Sequence, residues 1–253
     1  MTAAVTPSDR VVFLGAPYDL APVDAVLASL AATDGHEPFR YIVTPNVDHL
    51  TRLRRQRELA SLYDGAWQSW CDSHIVRRLG FLFGMRLPHL NGTDVVEQIF
   101  DRVLQPGDRI AVIASRPAVL AALAERYPLL DVVGHCPPMG FVDDLAAFAD
   151  CVRFGAESRA RFLFIAVGAP QSERVAFAIA HTEGATGVGL CIGAAMEFVG
   201  GLKPRAPKSM QNLGFEWLHR LVSEPRRLWR RYVLGVGPLI LLFGREIVLR
   251  ARP

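Results

Sequence analysis

The sequence has no uninterrupted run of about 18 apolar residues, so no segment reads as a conventional transmembrane helix. Met1 to Arg10 has neither a basic opening nor an apolar stretch behind it, and no signal peptide is expected. Cysteine is scarce. Cys71, Cys136, Cys151 and Cys191 form no Cys-x-x-Cys pair and no zinc spacing, which points to a reduced cytoplasmic setting. Lysine is nearly absent, with only Lys203 and Lys208. Several chemical signatures are missing as well: a Walker A loop, a GxGxxG after the first strand, HExxH and GxSxG. The chain also lacks an Asp-x-Asp pair to hold a divalent metal against a diphosphate. A nucleotide diphosphate bound here would need arginines to neutralise it.

The chain does have enough apolar material to fold. Its 253 residues are 51% apolar, which excludes a disordered chain and suits one large domain or one domain with an appendage. Net charge is only +3, but it is unevenly placed. From Lys203 to Pro253 eleven basic residues face three acidic ones, a balance of +8, while the preceding 202 residues carry −5. A basic tail on a mildly acidic body predicts contact with phosphates of a nucleotide, a nucleic acid or an anionic lipid. Arginine suits bidentate phosphate contact. Genome composition accounts for the arginine-to-lysine ratio but not for the clustering.

Short apolar runs alternate with amphipathic stretches. Strands are expected at Val11–Leu14, Tyr41–Val43, Ile110–Ala114, Asp131–Val133, Phe162–Val167 and Val188–Ile192. Helices are expected over Ala25–Ala31, along Leu50, Leu53, Leu59 and Leu62, along Val95 to Val103, over Pro117–Tyr127, and through Val175 and Ile179. This alternation predicts an α/β fold with a mostly parallel sheet, whose ligands bind beyond the carboxyl ends of the strands.

The character changes after Gly200-Gly201, so residues 1–202 are read as the body and 203–253 as an arginine-rich helical appendage. Lys203 to Pro207 is a breaker-rich link. One helix is expected over Gln211–Val222, and a second begins at Pro225 with Arg226, Arg227, Arg230 and Arg231. The apolar stretch Tyr232–Gly244 contains Pro238 and is too short to span a bilayer. Its basic flanks fit a helix lying on a membrane surface; packing onto the body is the alternative.

Four segments combine turn residues with polar groups, and two of them, Thr44 to His49 and Gly168 to Glu173, follow expected strands. Thr44 to His49 opens a helix, with Asn46 either facing a ligand or capping that helix. Asp72 follows the apolar Trp70 and Cys71, either as a general base or as an N-cap. Asn91-Gly92-Thr93-Asp94 is a turn in which Thr93 or Asp94 caps a helix or binds a base or ribose. Gly168-Ala169-Pro170-Gln171-Ser172-Glu173 follows a buried strand and offers a helix N-terminus to phosphate, unless Glu173 closes a capping box.

These segments occur in order with Gly193-Ala194-Ala195-Met196-Glu197-Phe198, Arg205 to Gln211, Gly214-Phe215-Glu216-Trp217 and Glu224 to Tyr232. Together they resemble the WecG/TagA/CpsF glycosyltransferases, glycosyltransferase family 26, over about Val11 to Ile247. The resemblance implies a Rossmann-like body whose C-terminal appendage completes the site and reaches the membrane. It implies inverting transfer of a hexosyl or N-acetylhexosaminyl group from a UDP-sugar to a polyprenyl-diphosphate-linked glycan. That reaction belongs to cell-envelope or exopolysaccharide synthesis at the inner face of the bacterial cytoplasmic membrane.

The family's catalytic aspartate falls on Asp72, and its Thr-x-Asn pair on Thr44 and Asn46. Uridine is expected near Gly92, Thr93, Asp94 and the turn of Gly168, Pro170, Gln171, Ser172 and Glu173. The diphosphate is expected on arginines from the set Arg205, Arg220, Arg226, Arg227, Arg230 and Arg231. No metal, cofactor or nucleic acid is expected; a homo-oligomer is allowed for. The chain departs from the family pattern at Ser172, which takes the glutamine position, at Glu197, and at Ala114-Ser115, which replaces a Gly-Gly turn. Apart from the resemblance, the competing reading is a nucleotide-binding or dehydrogenase-like protein with a basic membrane-docking tail.

Overall fold

The computed structural model describes residues 10–213, 215–223 and 225–250, with the side chains at 211–213, 220, 227, 228, 230–232 and 234 outside that description. The chain opens with β1 (Arg10–Phe13) and β2 (Ala16–Asp19), an antiparallel hairpin separate from the main sheet. The sequence reads Val11–Leu14 as one strand of the parallel sheet. Instead, Leu14 and Gly15 both take positive φ, 53° and 87°, which suits the two-residue turn of a tight hairpin.

Next come α1 (Val23–Ala31), β3 (Arg40–Val43), α2 (Val47–Arg55), α3 (Ala60–Asp64), β4 (Gln68–Ser69), α4 (His74–Phe81) and α5 (Gly92–Gln98). They are followed by β5 (Arg109–Ala114), α6 (Pro117–Arg126), β6 (Asp131–His135), α7 (Leu145–Glu157), β7 (Phe162–Ala166), α8 (Gln171–Ala180), β8 (Val188–Cys191) and α9 (Ala195–Val199). The periodicity over Leu50 to Leu62 is divided between α2 and α3, with a 3-10 turn at Arg57–Leu59 between them. That over Val95 to Val103 ends as a π turn, Ile99–Val103.

The six main strands lie in the order β4-β3-β8-β7-β5-β6, and every pair is parallel. Helices cover both faces, which explains the nearly continuous apolar strands. Period-two alternation divides the core. Ala111, Ile113, Leu163 and Ile165 face one cluster with the hairpin, α2, α3 and α8. Ile110, Val112, Phe162 and Phe164 face the other with α1, α5 and α9. The chain steps outward from β3 to β4 on one side and from β5 to β6 on the other. The crevice left by that reversal lies at the carboxyl ends of β3, β8 and β7.

The C-terminal region forms α10 (Lys208–Leu213), α11 (Glu216–Ser223) and α12 (Pro225–Arg250). The single helix expected over Gln211–Val222 is therefore two. Pro238 lies inside α12 without ending it. The helix runs across α2. Leu242 is buried, Phe243 meets Phe83 edge to face at 5.5 Å, and Arg250 donates to the Val12 carbonyl at 3.2 Å. Among the described residues no helix is long and apolar enough to cross a membrane.

Candidate active site

A cavity of about 560 Å³ opens at the strand ends. Thr44 and Asn46 reach it from the end of β3, and Asp48, His49, Thr51, Arg52 and Arg55 from α2. Asp72 comes from beyond β4, Gly168, Ala169, Ser172 and Glu173 from beyond β7, and Cys191 to Ala194 from the end of β8. Gly235 of α12 lines its edge. The volume is that of a small-molecule site.

The wall is fixed by backbone and side-chain bonds across the sheet. Thr44 Oγ1 donates to the Cys191 carbonyl at 3.1 Å, joining the ends of β3 and β8. Asn46 is both a cap and a wall residue. Its Oδ1 accepts the Asp48 N–H at 3.1 Å, while its own N–H donates to His49 Nδ1 at 3.3 Å. That reciprocal cap requires a neutral imidazole with its hydrogen on Nε2. Gly168 adopts φ +84°, a conformation suited to glycine, and lets the chain turn from β7 into α8.

Asp72 is half-buried on the cavity wall. The alternative reading, that it caps α4, is overturned because Ser73 is the cap and its Oγ accepts the Val76 N–H at 3.3 Å. Asp72 therefore does not cap α4, and it lines the cavity. Its position is set from below. Leu90 donates to the Cys71 carbonyl at 3.1 Å, and Ser69, three residues before Asp72, is held by the hairpin.

The Gly92 turn is placed differently from the expectation. Asn91 caps α5, not Thr93 or Asp94. Gly92 and Thr93 are buried; a Cβ on Gly92 would sit 3.5 Å from Thr44 Cγ2. The turn thus backs Thr44 and does not line the cavity. Asp94 pairs with Arg205 at 2.7 Å. Arg205 also pairs with Glu97 at 2.8 Å and lies 3.6 Å from Glu216, whose Oε2 accepts from Asn91 at 3.2 Å. This cluster ties the link and α11 to α5.

Within the Gly168 turn, Gly168, Ser172 and Glu173 reach the cavity; Pro170 and Gln171 are not among its lining residues. Ser172 Oγ is turned inward and donates to the Ile165 carbonyl at 3.1 Å. The capping box proposed for Glu173 is absent. Pro170 is the N-cap of α8, without a side-chain bond, and Glu173 is only 1% exposed. Desolvation raises the Glu173 carboxyl to about 7, against the backbone hydrogen bond and the Arg52 charge that lower it.

The cations on the wall are unexpected ones. Arg52 and Arg55 of the body line the cavity, whereas Arg205 and Arg226 do not. The side chains of Arg220, Arg227, Arg230 and Arg231 lie outside the described residues. Arg52 Nη2 is held by Asp48 Oδ2 at 3.0 Å. A signal for this was available, because Asp48, Arg52 and Arg55 stand at helical spacing and share the face that begins at the Asn46 cap. The Leu50/Leu53 core stripe is the stronger periodic signal in the same segment. Among the described residues no group of three or more His, Cys, Asp or Glu side chains is disposed to hold a metal.

The model of one family, the glycosyl transferase WecG/TagA/CpsF family, matches residues 11–253. The chain belongs to that family and is a glycosyltransferase of cell-envelope polysaccharide synthesis. Membership sets aside the dehydrogenase-like alternative.

Proposed function

We propose, from that family membership, that the protein transfers a sugar from a UDP-sugar to a polyprenyl-diphosphate-linked acceptor, inverting the anomeric centre without a metal. The acceptor hydroxyl enters beside Asp72, whose carboxylate takes its proton. The freed oxygen attacks the anomeric carbon from the face opposite UDP, and the carbon–oxygen bond to UDP breaks. UDP leaves with the bonding electron pair. The observation that carries this reading is Asp72 itself, released from capping and set on one cavity with Thr44, Asn46 and the turn after β7.

Charge on the departing diphosphate has two sources of compensation. Arg52 and Arg55 face the cavity from the body. The appendage brings further arginines, Arg226 among them, along the start of α12, while Gly235 of the same helix borders the cavity. Positive groups fixed in place before reaction stabilise developing charge without reorganisation. Gly92, Thr93 and Asp94, buried behind Thr44 or paired with Arg205, would act by supporting the wall.

The acceptor's lipid places the reaction at a membrane surface. Trp229, Val233, Val236, Ile240 and Ile247 are exposed and recur at helical spacing along α12, apart from the buried Leu242 edge. Trp217, Leu218 and Val222 of α11 are exposed as well. An exposed apolar stripe with arginines beside it suits an interfacial helix on an anionic bilayer. On this reading residues 203–253 act as a membrane-docking appendage at the inner face of the cytoplasmic membrane.

The test is a donor screen with a lipid-linked acceptor in EDTA, with the product anomer read by NMR. The reading expects UDP release in EDTA and an inverted product. A retained anomeric configuration, or turnover restored only by divalent metal, overturns it.

A further inference from the structure

Glu173 has an unusual place for a carboxyl group. It is 1% exposed yet lines the cavity, and its Oε2 has no hydrogen-bond partner in the structure. Its Oε1 stands 4.0 Å from His49 Nε2, beyond hydrogen-bond reach. Because His49 Nδ1 accepts from Asn46, the imidazole presents Nε2–H on the side of Glu173. The other groups that act on this carboxyl come from four elements. Arg52 of α2 supplies positive charge but is already held by Asp48. Tyr41 of β3, Tyr63 of α3 and Cys191 of β8 are kept neutral by burial, their ionisation pushed well up.

A carboxyl poised near neutrality responds to small changes in local potential. An anion entering the same cavity adds negative charge beside it and favours the protonated form. The unpartnered oxygen then changes from a second anion facing the ligand into a hydrogen-bond donor. A buried carboxylic acid kept neutral for this purpose is a known device in enzymes.

We propose that Glu173 meets the nucleotide as a neutral carboxylic acid, taking one proton from solvent as a nucleoside diphosphate enters the cavity. This inference rests on the reading of the cavity as the nucleotide-sugar site. Its thermodynamic consequence is linkage: nucleotide affinity falls as pH rises above about 7, because the empty site must then be protonated to bind.

The experiment is calorimetric titration of the full chain with UDP at pH 8 in HEPES and in Tris, whose ionisation heats differ. The UDP terminal phosphate titrates near pH ~6 and is fully ionised at that pH. The expected result is uptake of close to one proton per UDP by the wild-type protein and none by Glu173→Gln. The variant should also bind UDP with an affinity flat in pH. In the wild-type protein alone, Kd should weaken more than ~10-fold between pH 7 and pH 9, which tests the idea even if the variant does not fold. UDP binding without proton uptake, or uptake that persists in Glu173→Gln, overturns this inference and leaves the nucleotide reading standing. A wild-type protein that binds no UDP, with or without anionic lipid vesicles, overturns the nucleotide reading and the inference together.

Discussion

Asp19 accepts the backbone N–H of Ser69 at 2.6 Å, joining the N-terminal hairpin to the short strand that leads to Asp72. The same carboxylate is gripped by Arg10, Nε to Oδ1 at 2.8 Å and Nη2 to Oδ2 at 3.0 Å. Arg10 in turn donates to the Ala66 and Trp67 carbonyls, and Ser69 Oγ donates to the Pro17 carbonyl at 2.7 Å. β4 has only two residues and pairs with β3 alone, so its position depends on these bonds.

Asp19→Ala should therefore act on stability and catalysis together. It leaves the Arg10 guanidinium half-buried without its carboxylate and the Ser69 N–H without an acceptor. A loss of about 3 kcal/mol in urea unfolding is expected. Turnover at a temperature where the variant is folded should also fall, with KM nearly unchanged. A variant as stable as wild type would show that the hairpin does not brace β4.

Asp72→Asn isolates chemistry from structure. The expected loss in kcat is roughly two to four decades, with no change in thermal midpoint. Ser73→Ala, its neighbour, should show the reverse pattern. It loses the α4 cap bond, costs about 1 kcal/mol, and keeps most of the activity. Measured side by side, the pair separates the base from the cap; equal kinetic losses in both would defeat the assignment.

The boundary between what the sequence disclosed and what it withheld follows the range of the interactions. Buried strands such as Phe162–Ala166 carry their own signal, a short apolar run ending in a glycine turn, and the parallel α/β class follows from their alternation with helices. β4 carries none, because two residues have no periodicity, and α7 was not anticipated either. Thr44, Asn46, Gly168, Ser172 and Glu173 were legible as site candidates since each follows an expected strand, and Asp72 through the apolar Trp70 and Cys71 before it and the family resemblance. Whether such a residue caps or faces a ligand depends on which neighbour wins the free N–H groups. Ser73 and Asn91 won them over Asp72, Thr93 and Asp94. Asp94 and Glu97, which pair with Arg205, lie about a hundred positions from it, beyond any local pattern.

Buried Glu173 and partly buried His89 give the stability profile opposite slopes. Glu173 is raised to about 7 in the folded protein, above its unfolded value near 4.5, so the fold loses stability as pH rises through that window. His89 is lowered to about 4 by burial and by His74 and Arg77, so the fold loses stability as pH falls below its unfolded value of 6.5. Glu173→Gln should raise the thermal midpoint relative to wild type above pH 7 and leave it unchanged near pH 4.5. His89→Phe, which keeps an aromatic ring against His74, should blunt the acid side. Thermal midpoints from pH 4 to pH 9 check both signs.

The exposed stripe on α12 should govern membrane binding without governing the fold. Val236→Asp and Ile240→Asp place charge on positions that are more than half exposed, so the thermal midpoint should change little. Co-sedimentation with vesicles containing anionic lipid should fall at least tenfold, and turnover on a lipid-linked acceptor should fall with it. Leu242→Asp is the contrasting control. That residue is buried against the body, and its replacement should lower the midpoint by several degrees. Vesicle binding unchanged by the stripe substitutions would move the membrane contact elsewhere.

Arg205 is expected to act as the joint between body and appendage. Its guanidinium is mostly buried among Asp94, Glu97 and Glu216, the first two on α5 and the third on α11. Removing it takes away the cation that these three carboxylates share, and the added repulsion among them is relieved by opening of the appendage. Arg205→Ala should therefore expose the link at 203–207 to protease while the body stays folded. Arg205→Lys should restore only part of the protection, since an ammonium cannot span two helices as a planar fork does. Turnover should fall along with protection, because α12 borders the cavity through Gly235. If Arg205→Ala resists limited proteolysis like wild type yet loses UDP affinity, the side chain serves the diphosphate directly, and the contacts of α12 with the body hold the joint.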